Sequence, residues 1–357
     1  MKNITISIYF ILTTFLFAQS KNGGEMDKQI PSLCEVYKDY FPIGAAVNLK
    51  TVVSHADLLK KHFNSITPEN HTKWGLIHPL PNKYNFEDAD KIINFAIENK
   101  MKIRGHTLVW HIQVPEWVFK DEKGNWIDKD TLLKRLYEHI KTVVGYYKGK
   151  VYAWDVVNEA ISDKEGEFLR DEPWYKIGGE EVIEKAFIWA HEVDPDAILF
   201  YNDYNLELPS KREKAYQLIK KLKEKGIPVG GIGIQAHWGL YGITPEDLEE
   251  SIKKFSTLGV QIQITEFDIS IYLDKNEKFN SIEEVPEERI KKQIELYKKV
   301  FEILRKHKNL ITGVTFWGVA DDITWLDYFP VKGRKNFPLL FDIYHKPKKV
   351  FWEIINF

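Results

Sequence analysis

The sequence contains a single cysteine, Cys34, so no intrachain disulfide can form and the fold must be stable without one. It has no Gly-x-Ser-x-Gly nucleophile elbow, no His-Glu-x-x-His and no paired-cysteine spacing, which argues against a serine hydrolase and a zinc enzyme. The net charge is −2, so a nucleic-acid partner has little support. We therefore expect no cofactor, no metal and no nucleic-acid partner.

Aromatic side chains are abundant. Of the 357 residues, 44% are hydrophobic and 11 are tryptophan, which is enough to bury a large core. Flat indole faces are also the surfaces that sugar-binding clefts use, so the tryptophan content fits a carbohydrate ligand without requiring one.

The N-terminus has the composition of an export signal. Lys2 precedes an apolar stretch over residues 4–18, and Ala18-Gln19-Ser20 places small residues where a signal peptidase cleaves. We expect residues 1–20 to be a signal peptide and the protein to be secreted, either periplasmic or extracellular, without membrane contact after cleavage. A retained membrane anchor is the alternative, although the stretch is short for a span. Residues 21–35 are predicted to be flexible, and residues 36–357 to form one catalytic domain that is monomeric.

Apolar runs alternate with helical stretches over the rest of the chain. The helical stretches include 131–147, with an apolar stripe at helical spacing, and 211–225, a lysine-rich segment read as a solvated helix face. Eight strand-helix units in succession predict an α/β fold, a closed (β/α)8 TIM barrel in a single domain. A doubly wound open sheet is the alternative, but no Gly-rich phosphate-binding fingerprint follows the first run. The runs are 41–47, 65–70, 102–110, 152–159, 197–205, 231–238, 261–269 and 313–319.

Two of these runs carry a glutamate at or near the C-terminal end. Trp154 to Ala160 reads Trp-Asp-Val-Val-Asn-Glu-Ala, and residues 262–269 form a second apolar run that contains Glu266. In a barrel both would lie at the C-terminal ends of strands, where the active site is found. A carboxylate at a buried strand end is costly unless it has a function, and paired carboxylates are what glycoside hydrolysis requires. Strict strand alternation would place Asn158 and Glu159 on opposite faces.

The surroundings of Glu266 indicate different roles for the two glutamates. His237 ends the neighbouring run and Asp268 lies two residues beyond Glu266. A hydrogen-bonded chain through Asp268 and His237 would keep Glu266 ionised, as a nucleophile must be. Glu159 would then start protonated and act as the acid.

Several motifs occur in an order that resembles glycoside hydrolase family 10, the endo-1,4-β-xylanase family. The resemblance extends from about Phe41 to the C-terminus and is specific because all pieces occur in sequence. Phe267 stands where the family usually has an aliphatic residue, and by alternation it points away from the cleft. The motifs are Thr67-Pro-Glu-Asn70, Gly105-His-Thr-Leu-Val-Trp-His111, Trp154–Ala160, Tyr201-Asn-Asp-Tyr-Asn205, Gln235-Ala-His237, Ile264-Thr-Glu-Phe-Asp268, Trp317–Trp325 and Pro338-Leu-Leu-Phe-Asp342.

The resemblance implies a role for each matching position. Glu159 would be the acid/base and Glu266 the nucleophile, supported by His237 and Asp268. Asn158 would bind the 2-hydroxyl of the sugar under attack. The substrate-binding residues would be Glu69, Asn70, Lys73, His106, Trp110, Asn158, Tyr204, Asn205, Gln235, His237, Trp317 and Trp325.

The resemblance also implies a substrate. We expect a secreted, retaining endo-1,4-β-xylanase that acts on xylan and xylo-oligosaccharides. Trp325 would stand where the hydroxymethyl group of glucose would clash, because xylose lacks that group. Another retaining barrel glycosidase, a cellulase or a mannanase, is the alternative. A carbohydrate-binding protein on an inactive barrel is a third reading, which the presence of both glutamates disfavours.

Overall fold

The apolar runs of the sequence form the strands of a closed barrel. A computed structural model describes residues 30–357, and in these residues eight parallel strands surround a common axis. Strand β6 is interrupted at Gln235 and Ala236, where Ala236 has a φ of 61°, and resumes at His237–Trp238. The strands are β1 Ile43–Val47, β2 Ser65–Pro68, β3 Lys102–Val109, β4 Ala153–Asn158, β5 Ile198–Asp203, β6 Gly231–Ile234, β7 Gln261–Ile269 and β8 Ile311–Phe316.

Strand pairing closes the sheet on itself. Each strand pairs in parallel with the next, and β8 pairs with β1 through Ile43 and Val314. An open sheet would leave two unpaired edges, so the alternative of a doubly wound sheet is wrong. The predicted (β/α)8 barrel is confirmed.

Helices follow the strands and cover the outside of the barrel. The predicted stripe of α6 is confirmed, since Leu136, Ile140 and Val144 are all fully buried. The helix after β6 begins with a capping box between Thr244 and Asp247 and has Pro245 as its first residue. The helices are α1 Leu33–Val36, α2 Thr51–Ser54, α3 Ala56–His62, α4 Trp74–Ile77, α5 Glu87–Glu98, α6 Lys129–Tyr147, α7 Pro173–Gly178, α8 Glu181–Val193, α9 Pro209–Glu224, α10 Pro245–Ser256, α11 Glu287–Lys306 and α12 Lys349–Ile355.

The core lies between the barrel and these helices. Phe267 of β7 is fully buried and packs against Tyr297 and Phe301 of α11 and Phe316 of β8. Its side chain therefore points away from the barrel axis, on the face that alternation predicts. The aromatic residue at this position belongs to the core and leaves the cleft unchanged.

The beginning of the domain differs from the sequence-based boundary. Helix α1 lies partly within the segment predicted to be flexible, and its Leu33 is fully buried. Among the described residues, helical structure therefore begins at Leu33, within the segment 21–35. The predicted signal peptide, residues 1–20, lies outside the described residues. Among residues 30–357, none of the helices combines the length and apolarity that a membrane crossing requires.

Candidate active site

A cavity of about 700 Å³ opens at the C-terminal ends of the strands. Two of the predicted site residues do not line the cavity. Asn205 is half-exposed, and Asp268 is buried. The cavity also contains residues that the sequence did not indicate, namely His111, Ile112, Gln113, Tyr328 and Phe329. The predicted residues that line it are Glu69, Asn70, Lys73, His106, Trp110, Asn158, Glu159, Tyr204, Gln235, His237, Glu266, Trp317 and Trp325.

Asn158 and Glu159 both line the cavity, although strict alternation would separate them. Strand β4 ends at Asn158, and Glu159 has a φ of 56°, in the left-handed region that non-glycine residues seldom adopt. This backbone turn directs two consecutive side chains into the same site. Alternation applies only until the strand ends, and the strand ends one residue before Glu159.

Glu159 accepts hydrogen bonds on both carboxylate oxygens. Trp110 Nε1 donates to Oε2 at 2.9 Å, and Gln235 Nε2 donates to Oε1 at 3.0 Å. Arg170 Nε donates to the backbone oxygen of Glu159 at 2.7 Å, which fixes the backbone of this residue. The carboxylate is therefore held in place by two neutral donors, one on each oxygen.

Glu266 lies deeper, with 5% of its side chain exposed against 12% for Glu159. Asn202 Nδ2 donates to its Oε1 at 2.7 Å, and His237 Nε2 lies 3.1 Å from its Oε2. Asn202 Nδ2 also lies 2.8 Å from Asn158 Oδ1. The side-chain amide of Asn202 therefore connects Asn158 at the end of β4 with Glu266 of β7. The sequence did not single out Asn202, although it lies within the Tyr201–Asn205 motif.

His237 lies between two carboxylates. Its Nε2 faces Glu266, and its Nδ1 lies 3.0 Å from Asp268 Oδ1, an ion-pair distance. Burial lowers the pKa of His237, but Asp268 and then Glu266 outweigh that effect and raise the pKa to about 10. Trp325 Nε1 donates to the second oxygen of Asp268 at 2.7 Å. At neutral pH, His237 is thus an imidazolium fixed beside Glu266.

The charges around Glu266 keep it ionised. Burial raises its pKa, but the charge of His106 and the hydrogen bond from His237 outweigh burial, so the pKa lies below the ordinary value. His106 Nδ1 is in turn 2.9 Å from Asp155 Oδ2, and Arg104 forms a bidentate pair with the same carboxylate. Arg104, Asp155 and His106 therefore form a buried polar network beneath Glu266 inside the barrel.

We expect replacement of His237 to move the acidic limb of the pH–activity profile. Activity requires ionised Glu266, so it falls below the pKa of Glu266. Loss of the imidazolium raises that pKa, and the limb should move upward by about 1–3 pH units. The measurement is kcat/KM against pH for His237→Ala and His237→Gln. Both variants lose the positive charge of the imidazolium, and only His237→Gln retains a hydrogen-bond donor. If the acidic limb moves in His237→Ala alone, the hydrogen bond to Glu266 is responsible for the lowered pKa of Glu266. Profiles that match wild type in both variants would contradict the proposed support.

One side of the cavity is formed by the loop after β2. Lys73 Nζ donates to Asn70 Oδ1 at 3.0 Å and lies 4.5 Å from the centre of the Trp110 ring. Burial lowers the pKa of Lys73, although Glu266, Glu69 and Glu159 act in the opposite direction. Asn48 Nδ2 donates to Glu69 Oε2 at 3.1 Å. Hydrogen-bond donors and acceptors are therefore concentrated on this side of the cavity.

The opposite side has a network that sequence reasoning missed. Lys211 Nζ lies 2.8 Å from Asp163 Oδ1, 2.9 Å from Asp203 Oδ1 and 3.4 Å from the centre of the Tyr204 ring. The Tyr204 hydroxyl contacts both Asp163 and Arg170. Lys211 is therefore buried, contrary to the reading of the lysine-rich helix as a solvated face. Burial raises the pKa of Asp203 to about 6 although Lys211 lowers it.

The sequence signal for this network was weak. Asp163 and Arg170 lie in the loop after β4, where no periodicity places a side chain, and Lys211 resembles its solvated neighbours in α9. Buried lysine is rare unless it is paired, so the pairing became visible only in three dimensions.

Comparisons with known proteins agree with this geometry. The family model described as glycosyl hydrolase family 10 matches residues 32–357. The chain is 62% identical over 350 residues to a beta-1,4-xylanase of Dictyoglomus thermophilum, covering 98% of this chain and 97% of the relative. It is 48% identical to an endo-1,4-beta-xylanase of Geobacillus stearothermophilus, covering 93% and 100%. The solved structure of xylanase XynB from Paenibacillus barcinonensis, complexed with a conduramine derivative, superposes with a TM-score of 0.89 at 45% identity, covering 92% and 98%.

Proposed function

The chain belongs to glycosyl hydrolase family 10, and from that premise we propose that it is an endo-1,4-β-xylanase acting by a retaining double displacement. The observation that carries the proposal is the unequal environment of the two glutamates. Glu266 is buried against an imidazolium, whereas Glu159 is held by neutral donors at the cavity wall. Glu266 is thereby kept as an anion, as a nucleophile must be, and we assign the acid/base role to Glu159.

The geometry supports the following sequence of steps. Glu266 attacks the anomeric carbon while Glu159 donates a proton to the leaving oxygen, which breaks the glycosidic bond and forms a glycosyl ester on Glu266. Glu159, now ionised, takes a proton from water as that water attacks the same carbon. The second displacement releases Glu266 and restores the proton on Glu159. Two inversions leave the product with the configuration of the substrate.

Product analysis on polysaccharides tests the proposal. Purified protein should release xylo-oligosaccharides from within xylan, and the first-formed product should be the β-anomer by NMR. Activity should be low on cellulose and mannan. A preference for cellulose or mannan would replace the xylanase assignment by that of another retaining barrel glycosidase, and an initial α-anomer would contradict double displacement. Binding without turnover would favour an inactive carbohydrate-binding barrel.

Trp325 is the residue that we propose excludes glucose. Its indole lines the cavity, lies 4.7 Å from the His237 ring and is fixed by Asp268. Trp325→Ala should raise the kcat/KM ratio of aryl cellobioside to aryl xylobioside by about 10–200-fold, the range for small steric differences in pockets. Trp325→Phe is the matched control, because it keeps an aromatic wall and loses the hydrogen bond to Asp268. A ratio that is unchanged in Trp325→Ala would remove the residue from specificity.

We propose that the protein is exported and cleaved after the small residues near Ser20. The support is the positive charge, apolar stretch and small-residue site of residues 1–20. N-terminal sequencing of protein from the culture medium or periplasm should give a start close to Lys21. A chain that begins at Met1 in the membrane fraction would show a retained anchor instead.

A further inference from the structure

A cluster of two histidines and an aspartate lies outside the cavity, where the loops after β1 and β8 meet. His55 Nε2 is 2.8 Å from Asp322 Oδ1, and His345 Nε2 is 3.4 Å from Asp322 Oδ2. The three possible ligand atoms all lie within 4.8 Å of one another. None of the three residues lines the active-site cavity. The reaction proposed above therefore does not use them.

Hydrogen bonding around His55 indicates which ring nitrogen is available. Ser54 Oγ has one hydrogen, and when it donates to the Lys50 backbone oxygen at 3.0 Å it accepts from His55 Nδ1, 2.7 Å away. A neutral imidazole that donates from Nδ1 presents a lone pair at Nε2. In this tautomer Nε2, 2.8 Å from Asp322 Oδ1, is available to a metal ion, whereas in the other tautomer it donates to the carboxylate.

A second imidazole converges on the same carboxylate. The rings of His55 and His345 are 4.2 Å apart between centroids, and each directs Nε2 at a different oxygen of Asp322. A hydrogen bond donated by His55 Nδ1 to the serine hydroxyl would orient the ring, and it is the outer contact that metal-ligating histidines usually have. The side chain of His55 is fully buried, whereas Asp322 and His345 are 30% and 34% exposed. The exposed side provides a path for an ion to enter.

The segments that carry the three residues are themselves fixed. His345 has a φ of 63° in a turn closed by Asp342, whose carboxylate accepts from the backbone nitrogens of Tyr344 and Lys346. The Asp321 backbone nitrogen donates to the Phe341 oxygen, which ties the loop carrying Asp322 to this turn. Ordered ligand segments lower the entropy that an ion must overcome on binding.

We propose that His55, Asp322 and His345 bind a divalent transition ion of the zinc class, with water in the fourth position. Two imidazole nitrogens and one carboxylate oxygen suit zinc, whereas calcium and magnesium prefer oxygen ligands alone. Bonds of 2.0–2.2 Å in a tetrahedron place ligand atoms roughly 3.3 Å apart. One ligand atom from each residue lies within 4.8 Å of the other two, so small side-chain rotations bring them to that spacing. The ion would link the loop after β1 to the loop after β8. These two strands are the pair that closes the barrel.

Calorimetry with the full purified chain tests the site. After chelator treatment and dialysis, ZnCl₂ should bind with one ion per chain and raise the melting temperature by a few degrees. Co²⁺ should bind at the same site with the intense visible absorption of tetrahedral coordination. Asp322→Asn and His345→Asn should each weaken Zn²⁺ binding at least roughly tenfold and remove the thermal shift. Asn is the replacement at His345 because it tolerates positive φ.

His191→Asn is the matched control, since His191 is exposed on α8, away from the cluster. It should bind Zn²⁺ as wild type does. Absence of saturable Zn²⁺ binding in the wild-type chain would overturn the proposal and leave a proton as the cation between His55 and Asp322. Equal binding by wild type and His345→Asn would place the ion elsewhere and also overturn it. Zn²⁺ binding that xylobiose displaces would assign the ion to the cleft histidines instead.

Discussion

Replacing Glu266 with alanine should abolish hydrolysis of every substrate, including aryl xylosides whose leaving groups need no protonation. Without the carboxylate no glycosyl ester forms. We expect kcat to fall by roughly 10⁴-fold or more, as when a nucleophile is removed from other covalent catalysts. The measurement is initial rates on aryl xylobioside and on xylan.

Two further variants show whether the loss is chemical. Glu266→Gln keeps the shape of the side chain and should be as inactive as Glu266→Ala. Glu207→Gln is the matched control, because Glu207 is also a buried glutamate but does not line the cavity. Its carboxylate accepts a hydrogen bond from Trp238 Nε1 at 2.8 Å. It should retain activity close to wild type. A Glu266→Ala protein that keeps more than about a tenth of wild-type activity on aryl xylobioside would refute the role of nucleophile.

The positions of Glu159 and Glu266 were predictable because they depend on local pattern. Glu159 directly follows strand β4, Glu266 lies in the C-terminal half of β7, and strand-helix alternation places all C-terminal strand ends of a barrel on one rim. Phe267 was predicted to point away from the cleft because neighbouring side chains in a strand point to opposite faces, and Phe267 follows Glu266. Information of this kind is contained within a few consecutive residues.

The alternation of side chains along a strand does not predict orientation where the backbone departs from regular strand geometry. Glu159 and Asn205 have φ values of 56°, and no hydrophobic periodicity encodes a left-handed residue. Alternation therefore placed Glu159 opposite Asn158, whereas both line the cavity. Asn205, included through the resemblance, lies half-exposed beside the cavity.

Contacts between distant segments were the other limit. Lys211 reads as one more solvated lysine until Asp163 and Asp203 are seen on either side of it. His55 and Asp322 are separated by 267 positions, so no metal-binding spacing exists to be found in the sequence. Buried charge requires a partner, but sequence alone does not state which one.

Glu159→Ala should fail in a different step from Glu266→Ala. It removes the acid/base and leaves the nucleophile with His237 and Asn202 in place. An aryl leaving group of low pKa needs little protonation, so the first displacement on aryl xylobioside should survive. The second displacement needs a base to activate water, so the glycosyl ester should accumulate and give a burst of the aryl product followed by slow turnover. On xylan, whose leaving group is a sugar hydroxyl, the variant should be nearly inactive.

Azide distinguishes the two glutamates by the configuration of the product. It needs no general base, so in Glu159→Ala it should attack the accumulated ester from the leaving-group side, restore turnover and yield the β-xylobiosyl azide. In Glu266→Ala no ester exists, and azide can only occupy the space of the lost carboxylate, displace the aryl group directly and yield the α-azide. The anomer is read by NMR, with wild type and azide as the control that should give no azide product. Anomers found the other way round would reverse the roles of Glu159 and Glu266, because the face from which azide attacks reports which carboxylate has been removed.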